Sequence, residues 1–326
     1  MVLIDDTRRL AQGASAVAAT RLGPLIRRKR QSGVLVVAFS RDRPLQLELL
    51  LESYSTYVDA APPVTLLYRA STDAYRSAYT EVLARYAGVV AEARPETDFR
   101  SDLLAVLRGS HAANLMFLVD DLVFIRPLEG RVLRDWSSKE GILSLRLGTN
   151  ISSSYNAGVE RLAPPETLRP AHQLGVPMVT WRWNSGTVDW QLALSLDGHL
   201  LPKPLLQQLI ERSRFHAPNS LEAALGRFRF LFKGSWGFAY PTSRVVNLPL
   251  NSVKGEDYSF PNLGGDARAL LDGHLRGLRL DASTLPLEHQ TSCHIPWAPA
   301  LVPREAARQA SDRELTPDAP LCTTAS

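Results

Sequence analysis

Residues 33–125 predict an α/β fold with a mostly parallel central sheet flanked by helices. Short uninterrupted apolar runs bounded by polar loops suit strands buried on both faces. Segments with helical spacing alternate with those runs, as in a doubly wound sheet. One run, Leu-Met-Phe-Leu-Val over 115–119, ends on two adjacent carboxylates, Asp120 and Asp121. Ligands of open α/β sheets sit at such strand ends.

The elements follow in order. Gly33-Val-Leu-Val-Val-Ala-Phe39 reads as a first buried strand, ending at the polar loop Ser40-Arg-Asp-Arg-Pro44. Pro44 fits a first helical position, and Leu45, Leu49 and Tyr54 continue at helical spacing. Val64 to Tyr68 is a second strand, Asp73 to Tyr86 a helix, Gly88 to Val90 a short third strand, and Asp98 to Leu107 a helix with Leu103, Leu104 and Leu107 on one face. The strand carrying the acid pair comes fourth, so Ser40, Tyr68, Arg94 and the acids are expected at one crevice. Beyond it Pro and Trp become frequent, as in an irregular half that lines a ligand. Leu194 to Leu200 reads as extended, Pro204 to Arg212 as helical, Asn219 and Ser220 as a helix start, and Val245 to Leu248 as a strand. From about Pro303 the chain is polar and charged, as in a disordered tail.

With 326 residues, 45% of them hydrophobic, the chain can bury a large core. Its two cysteines, Cys293 and Cys322, indicate neither a disulfide framework nor a cysteine-rich metal site, and a reducing cytoplasm is the expected setting. No stretch approaches the roughly 18 apolar residues of a membrane span. The net charge is +4, and Arg21, Arg27, Arg28, Lys29 and Arg30 cluster in a basic arm over residues 1–32. That arm reads as a solvated segment or as a peripheral contact with an anionic membrane surface. Neither a zinc-ligand spacing nor an aromatic RNA-binding pattern accompanies it, so no nucleic-acid partner is expected.

Two acids side by side near a core repel each other unless a cation sits between them. An oxygen-only site favours Mn2+ or Mg2+ over zinc. The competing reading of Asp120 and Asp121 is a pair of solvated loop acids.

Phe-Ser-Arg-Asp-Arg-Pro44 at the first strand and Val-Asp-Asp-Leu-Val-Phe124 at the fourth resemble the two motifs of GT-A glycosyltransferases, particularly the broad family-2-like group, from Val34 to about Leu225. The acidic motif here reads Asp-Asp-Leu, or ends on Asp121 when counted from Val119. The resemblance implies a GT-A-like, Rossmann-like fold. It divides the domain into a nucleotide-sugar-binding half over 33–135 and an acceptor-binding and catalytic half over 136–302, followed by a tail over 303–326. It implies that Phe39, Ser40, Arg41, Arg43 and Asp120 receive the nucleotide sugar, and that Asp120, Asp121 and a C-terminal histidine, His294, hold the metal. Tyr68 at the same crevice is a further candidate, as are Arg94 and Arg100, which flank the third strand and suit phosphate oxygens, with surface solvation as their default.

Family order places Leu196-Asp-Gly-His-Leu200 at the acceptor side and Pro218-Asn-Ser-Leu-Glu222 where the catalytic base belongs. Glu222 is the candidate base and Asp197 its competitor. Equally, Asn219 with Glu222 fits a capping box, in which the Glu reaches back to the backbone, and Asp197-Gly198 fits a turn. Trp181, Trp183, Gly198 and His199 are candidate acceptor contacts, although core packing accounts for the tryptophans as well. Lys254, in the segment 247–256, is a candidate lid residue that meets the diphosphate.

The expected function is metal-dependent transfer of a sugar from a nucleotide-diphosphate sugar to a hydroxyl of a glycan or other acceptor, with inversion, by a cytoplasmic enzyme that touches the membrane peripherally. The alternatives are a sugar-nucleotide nucleotidyltransferase and a non-catalytic carbohydrate- or membrane-binding module. The polar loop after the first strand contains no glycine, against the phosphate loop of the former.

Overall fold

The computed structural model describes residues 32–251 and 267–304. The basic arm up to residue 31, the candidate lid residue Lys254 and the tail from residue 305 lie outside them.

Nine strands form one sheet. Four come from the first half: β1 (Val34–Arg41), β2 (Val64–Arg69), β3 (Val90–Pro95) and β4 (Asn114–Val119). A short β5 (Leu122–Phe124) lies outside it. The second half adds β6 (Ile142–Ser144), β7 (Arg169–Gln173), β8 (Val176–Arg182), β9 (His199–Pro202) and β10 (Trp236–Ala239). The order across the sheet is β3-β2-β1-β4-β9-β6-β10-β8-β7. Pairings among β1 to β4 are all parallel, and only β9 and β8 run against the common direction. The sheet is therefore mostly parallel, as the sequence predicts, and continuous across both halves.

The apolar strands serve two cores at once. Val37 and Phe39 of β1, with Leu115 and Phe117 of β4, face α3 (Phe99–Gly109), α5 (Lys203–Glu211) and α6 (Pro218–Gly226). Their neighbours Val36, Ala38, Met116 and Leu118 face α1 (Pro44–Tyr57) and α2 (Asp73–Arg85). Alternate residues of one strand point to opposite faces, so a strand sandwiched between helix layers reads as an unbroken apolar run. The third strand departs from expectation for the complementary reason. It starts at Val90 rather than Gly88 and extends to Pro95 as an edge, where one flank needs no burial and polar residues are tolerated.

Five further elements complete the described chain. α4 (Gly130–Asp135) follows β5, and β11 (Val245–Asn247) pairs antiparallel with β5. α7 (Ala267–Leu275) leads into β12 (Leu278–Leu280), which pairs with β13 (Leu301–Pro303). The chain is thus still ordered where the tail was expected to begin. Arg304 reaches the buried Glu48 of α1 through Nε and Nη2 at 3.1 and 3.0 Å, and Arg85 joins the same carboxylate. Two guanidiniums converge on one acid, which fixes Arg304, the last described residue, to α1 in a way no local pattern signals.

The tryptophans correct a second expectation. Trp181 is fully buried and Trp183 nearly so, and their rings meet edge-on at 4.9 Å, as do those of Trp181 and Trp190. They fill the core between β8 and the loop before β9 and present no face to an acceptor. Gly237 on β10 is part of this fit, because a Cβ there would lie 2.5 Å from the Trp181 ring. Trp181→Ala is expected to destabilise the fold by about 3–5 kcal/mol in a denaturant titration, as emptied aromatic sites do. Unchanged stability with impaired acceptor use alone would return Trp181 to the role of a sugar platform.

Candidate functional site

Parallel pairing sets Phe39 beside Val119, so the next residues, Ser40 and Asp120, emerge together at the end of β1 and β4. Ser40 Oγ donates to Asp120 Oδ2 at 2.9 Å, and the Arg41 backbone N–H donates to the same oxygen at 3.2 Å. Arg43 Nη1 donates to Asp120 Oδ1 at 2.8 Å. Tyr79 Oη, 2.6 Å from Ser40 Oγ, accepts from the Arg43 N–H at 3.1 Å. Because Ser40 gives its proton to Asp120, the Tyr79 hydroxyl donates to Ser40. Asp120 is buried, and both its oxygens are engaged. It organises the polar loop after β1, and Arg43 supplies its counter-charge while also donating to the Asn251 carbonyl.

Asp121 stands apart from that network. The Leu122–Asn247 register of the β5–β11 pair brings Asn247 to it, and Asn247 Nδ2 donates to Asp121 Oδ1 at 3.3 Å. Oδ2 carries no hydrogen bond among the described residues. Burial raises this carboxyl to about 7, with Asp120 and Asp197 adding to the rise and Arg43 opposing it.

Across the rim lies a second cluster. The loop before β9 is placed by Gly198, whose N–H donates to Phe117 O at 3.0 Å on β4 and whose carbonyl accepts from Leu145. Gly198 has φ +69°, a conformation that favours glycine, so a turn replaces the expected extended run from Leu194. Asp197 therefore stands at the same sheet edge as the acid pair. Arg146, just past β6, reaches into this loop: Nη1 donates to Ser195 Oγ and Asp197 Oδ2, and Nη2 to Asp189 Oδ1, each at 2.9 Å.

Glu222 enters from α6. Its Oε1 accepts from Ser195 Oγ at 3.0 Å and from the Leu196 N–H at 3.2 Å. The capping-box alternative is thereby removed. Ser220 Oγ, not Glu222, serves the helix start by accepting from the His216 and Ala217 N–H groups. Burial and the neighbouring Asp197 raise the Glu222 carboxyl, while Arg146 pulls the other way.

His294 is carried in by a bridge between its strand segment and Asn247. Its Nδ1 lies 3.5 Å from Arg146 Nη2. Burial and that guanidinium hold it well below its usual pKa, hence neutral. It joins the Arg146 cluster and does not converge with Asp120 and Asp121 as the expected third ligand. Among the described residues no three His, Cys, Asp or Glu side chains come together as a metal cage. Mg2+ and Mn2+ at nucleotide sites are more often held by one or two carboxylates completed by substrate phosphates. Asp121 fits that arrangement: it has an unbonded oxygen, and its negative charge is opposed by two neighbouring acids.

Several sequence candidates are spent elsewhere. Phe39 packs on Phe99 and Phe117 in the core. Tyr68 lies against Tyr79, ring centroids 4.8 Å apart, just beneath the Ser40 network. Arg94 pairs with Glu92 at the surface of the edge strand. Arg100 donates to the carbonyls of Ser213 and Glu211 and so joins α3 to the end of α5. His199 is buried, with Nδ1 against Ala193 O at 3.3 Å, and burial with Arg146 lowers it to about 3, so it is neutral and faces no acceptor. Arg41 has an exposed side chain at the end of β1.

The residues that sequence reading missed are Arg146, Asp189, Ser195, Asn247 and Tyr79. One signal was available: Arg146 sits inside Ile-Leu-Ser-Leu-Arg-Leu, and a guanidinium amid a buried run needs acidic partners.

The Asp121 carboxyl makes a pH prediction. Its folded value of about 7 exceeds its ordinary 3.8, so the folded state holds the proton more tightly, and the associated stability is lost as pH rises through that interval. With a chelator present, Asp121→Asn should melt higher than the wild type at pH 8, by about 4 °C, with the gap closing below pH ~4. An equal gap at both pH values would remove the buried charge as its cause.

No family model matches the chain, and no curated protein matches it. Similar solved structures include the mannosyltransferase PcManGT from Pyrobaculum calidifontis in complex with GDP-Man and Mn2+, at 15% identity and TM-score 0.29, covering 47% of this chain and 51% of that one. They also include S. aureus TarS, at 11% identity and TM-score 0.37, covering 74% and 42%. The chain therefore spans about half the length of these structures or less.

Proposed function

We propose that the chain is a glycosyltransferase that moves a sugar from a nucleotide-diphosphate sugar to an acceptor hydroxyl. The observation that carries this reading is the meeting of two opposed acidic groups at one sheet edge. Asp121 follows β4, and the Asp197–Ser195–Glu222 cluster is held across from it by the Gly198 turn and α6. The first suits a phosphate-borne cation and the second a proton transfer, the two needs of glycosyl transfer to a hydroxyl.

In the proposed reaction the acceptor oxygen attacks the anomeric carbon as the C–O bond to the diphosphate breaks. The bonding pair leaves with the diphosphate, and the hydroxyl proton passes to a carboxylate of the second cluster. Attack from the face opposite the leaving group inverts the centre. Mg2+ or Mn2+, where bound by Asp121 and the donor phosphates, supplies charge for the leaving group. Arg41 and Arg43 at the end of β1 bring the only guanidiniums of the polar loop to the donor side. The GDP-Man and Mn2+ of the mannosyltransferase belong to that protein and do not specify the donor here. The site lies within a chain that has no helix long and apolar enough to cross a membrane among the described residues. A cytoplasmic enzyme with its arm on an anionic membrane remains the proposed setting.

A panel of nucleoside diphosphates tested for thermal stabilisation with and without Mn2+ examines the donor half. One nucleotide should stabilise the protein only with Mn2+, and the effect should largely vanish in Asp121→Ala. A metal-independent shift retained in that variant would count against the assigned donor site. Glu222→Gln should keep the stabilisation while turnover falls by about 10²–10⁴-fold. Near-normal turnover would move the proton transfer to Asp197 or remove it from both acids.

A further inference from the structure

One guanidinium and one hydroxyl proton impose a division on the acids of the second cluster. The Arg146 side chain is only 4% exposed and does not lose its charge. It is tied to Asp189 on one side and to Asp197 and Ser195 on the other. Ser195 Oγ already accepts from Arg146 and, at 3.3 Å, from the Asp197 N–H, which uses both its lone pairs. Its single proton then goes to the nearer carboxylate, Glu222 Oε1 at 3.0 Å, rather than to Asp197 Oδ2 at 3.3 Å.

We propose that Arg146 is the positioning residue of this site: it fixes Asp197 as the charge-paired acid and leaves Glu222 as the carboxyl that exchanges a proton with the acceptor. The acceptor's identity as a hydroxyl rests on the transferase reading, whereas the division between the acids does not. Oε1 of Glu222 receives only neutral donors, from Ser195 and Leu196, and Oε2 has no donor among the described residues. A carboxylate bonded to a guanidinium is a weak proton acceptor, and one facing only neutral donors beside a like charge is a strong one. Oε2 is therefore the oxygen that takes the acceptor proton as the new C–O bond forms, and it returns that proton to water after the diphosphate has left.

The charged groups around Glu222 are consistent with this division. Asp197 faces it from the loop before β9 and Arg146 from the segment after β6. Beyond Arg146 stand Asp189, His294, which is neutral, and Cys293, whose thiol burial pushes up to about 12. Asp121 faces Asp197 from the donor side. The site thus contains one fixed cation and several acids, and removing the cation takes away the charge that opposes the rise of the Glu222 carboxyl.

The test is a carboxyl 13C NMR titration of the full chain labelled at Asp and Glu, with Glu222→Gln used to assign the signal, alongside turnover of nucleotide-diphosphate sugars. In Arg146→Gln the Glu222 titration should move up by about one pH unit or more. In Arg146→Lys, which keeps the charge and loses the fork, it should stay near the wild-type position while turnover falls about tenfold or more at unchanged donor KM. The proposal is overturned by a wild-type titration in Arg146→Gln, by a displaced titration in Arg146→Lys, or by wild-type turnover in Arg146→Lys. The lysine variant decides alone if the glutamine variant does not fold. A wild-type protein that consumes no nucleotide sugar removes the transferase reading and leaves the titration to judge Arg146. An active protein whose Glu222 titration ignores Arg146→Gln removes the Arg146 assignment only.

Discussion

Acidic side chains outnumber the cations that face them at the carboxyl end of the sheet, and much of the surrounding structure follows from that imbalance. Asp120, Asp121, Asp189, Asp197 and Glu222 meet Arg43 and Arg146. Arg43 neutralises Asp120 and Arg146 serves Asp189 and Asp197, which leaves Asp121 and Glu222 as the acids whose proton affinity burial raises. Buried carboxylates without a partner are unstable as anions, so they are kept either by a proton or by a ligand that brings charge. A substrate that carries phosphate-bound cations to Asp121 and a hydroxyl proton to Glu222 relieves both.

The fold holds this arrangement by means that are largely independent of it. Parallel register places Ser40 beside Asp120, and the antiparallel return of β9 places Asp197 at the same edge. Apolar side chains on both faces of β1 and β4 lock that register, since a slip of one residue would exchange the two cores. The Glu48 hub, where Arg85 and Arg304 converge, keeps α1 and the end of the described chain together.

The parallel half was legible in the sequence where its strands, β1, β2 and β4, are apolar and buried on both sides. α1 starts at Pro44, the residue type that suits a first helical position. The acid pair was legible for the same reason: it ends an apolar run. What escaped is what depends on distant contacts. Glu222 follows a helix start that looks like a capping box, and only the approach of Ser195 across the fold draws it away. The tryptophans looked equally fit for a sugar or a core, and the choice was made by Gly237, which has no side chain to keep the Trp181 ring out. Arg100 resembles a phosphate ligand in sequence, yet two carbonyls at the end of α5 take its donors.

The most direct test of the central claim is 31P NMR of nucleotide-diphosphate sugars incubated with the protein and Mn2+, since the products report which bond breaks. Cleavage at the anomeric carbon, as the account requires, yields a nucleoside diphosphate and no sugar phosphate. Appearance of a nucleoside monophosphate with a sugar 1-phosphate, or of pyrophosphate exchange, would place the reaction at phosphorus and contradict the assignment of Asp121 and Glu222 to glycosyl transfer.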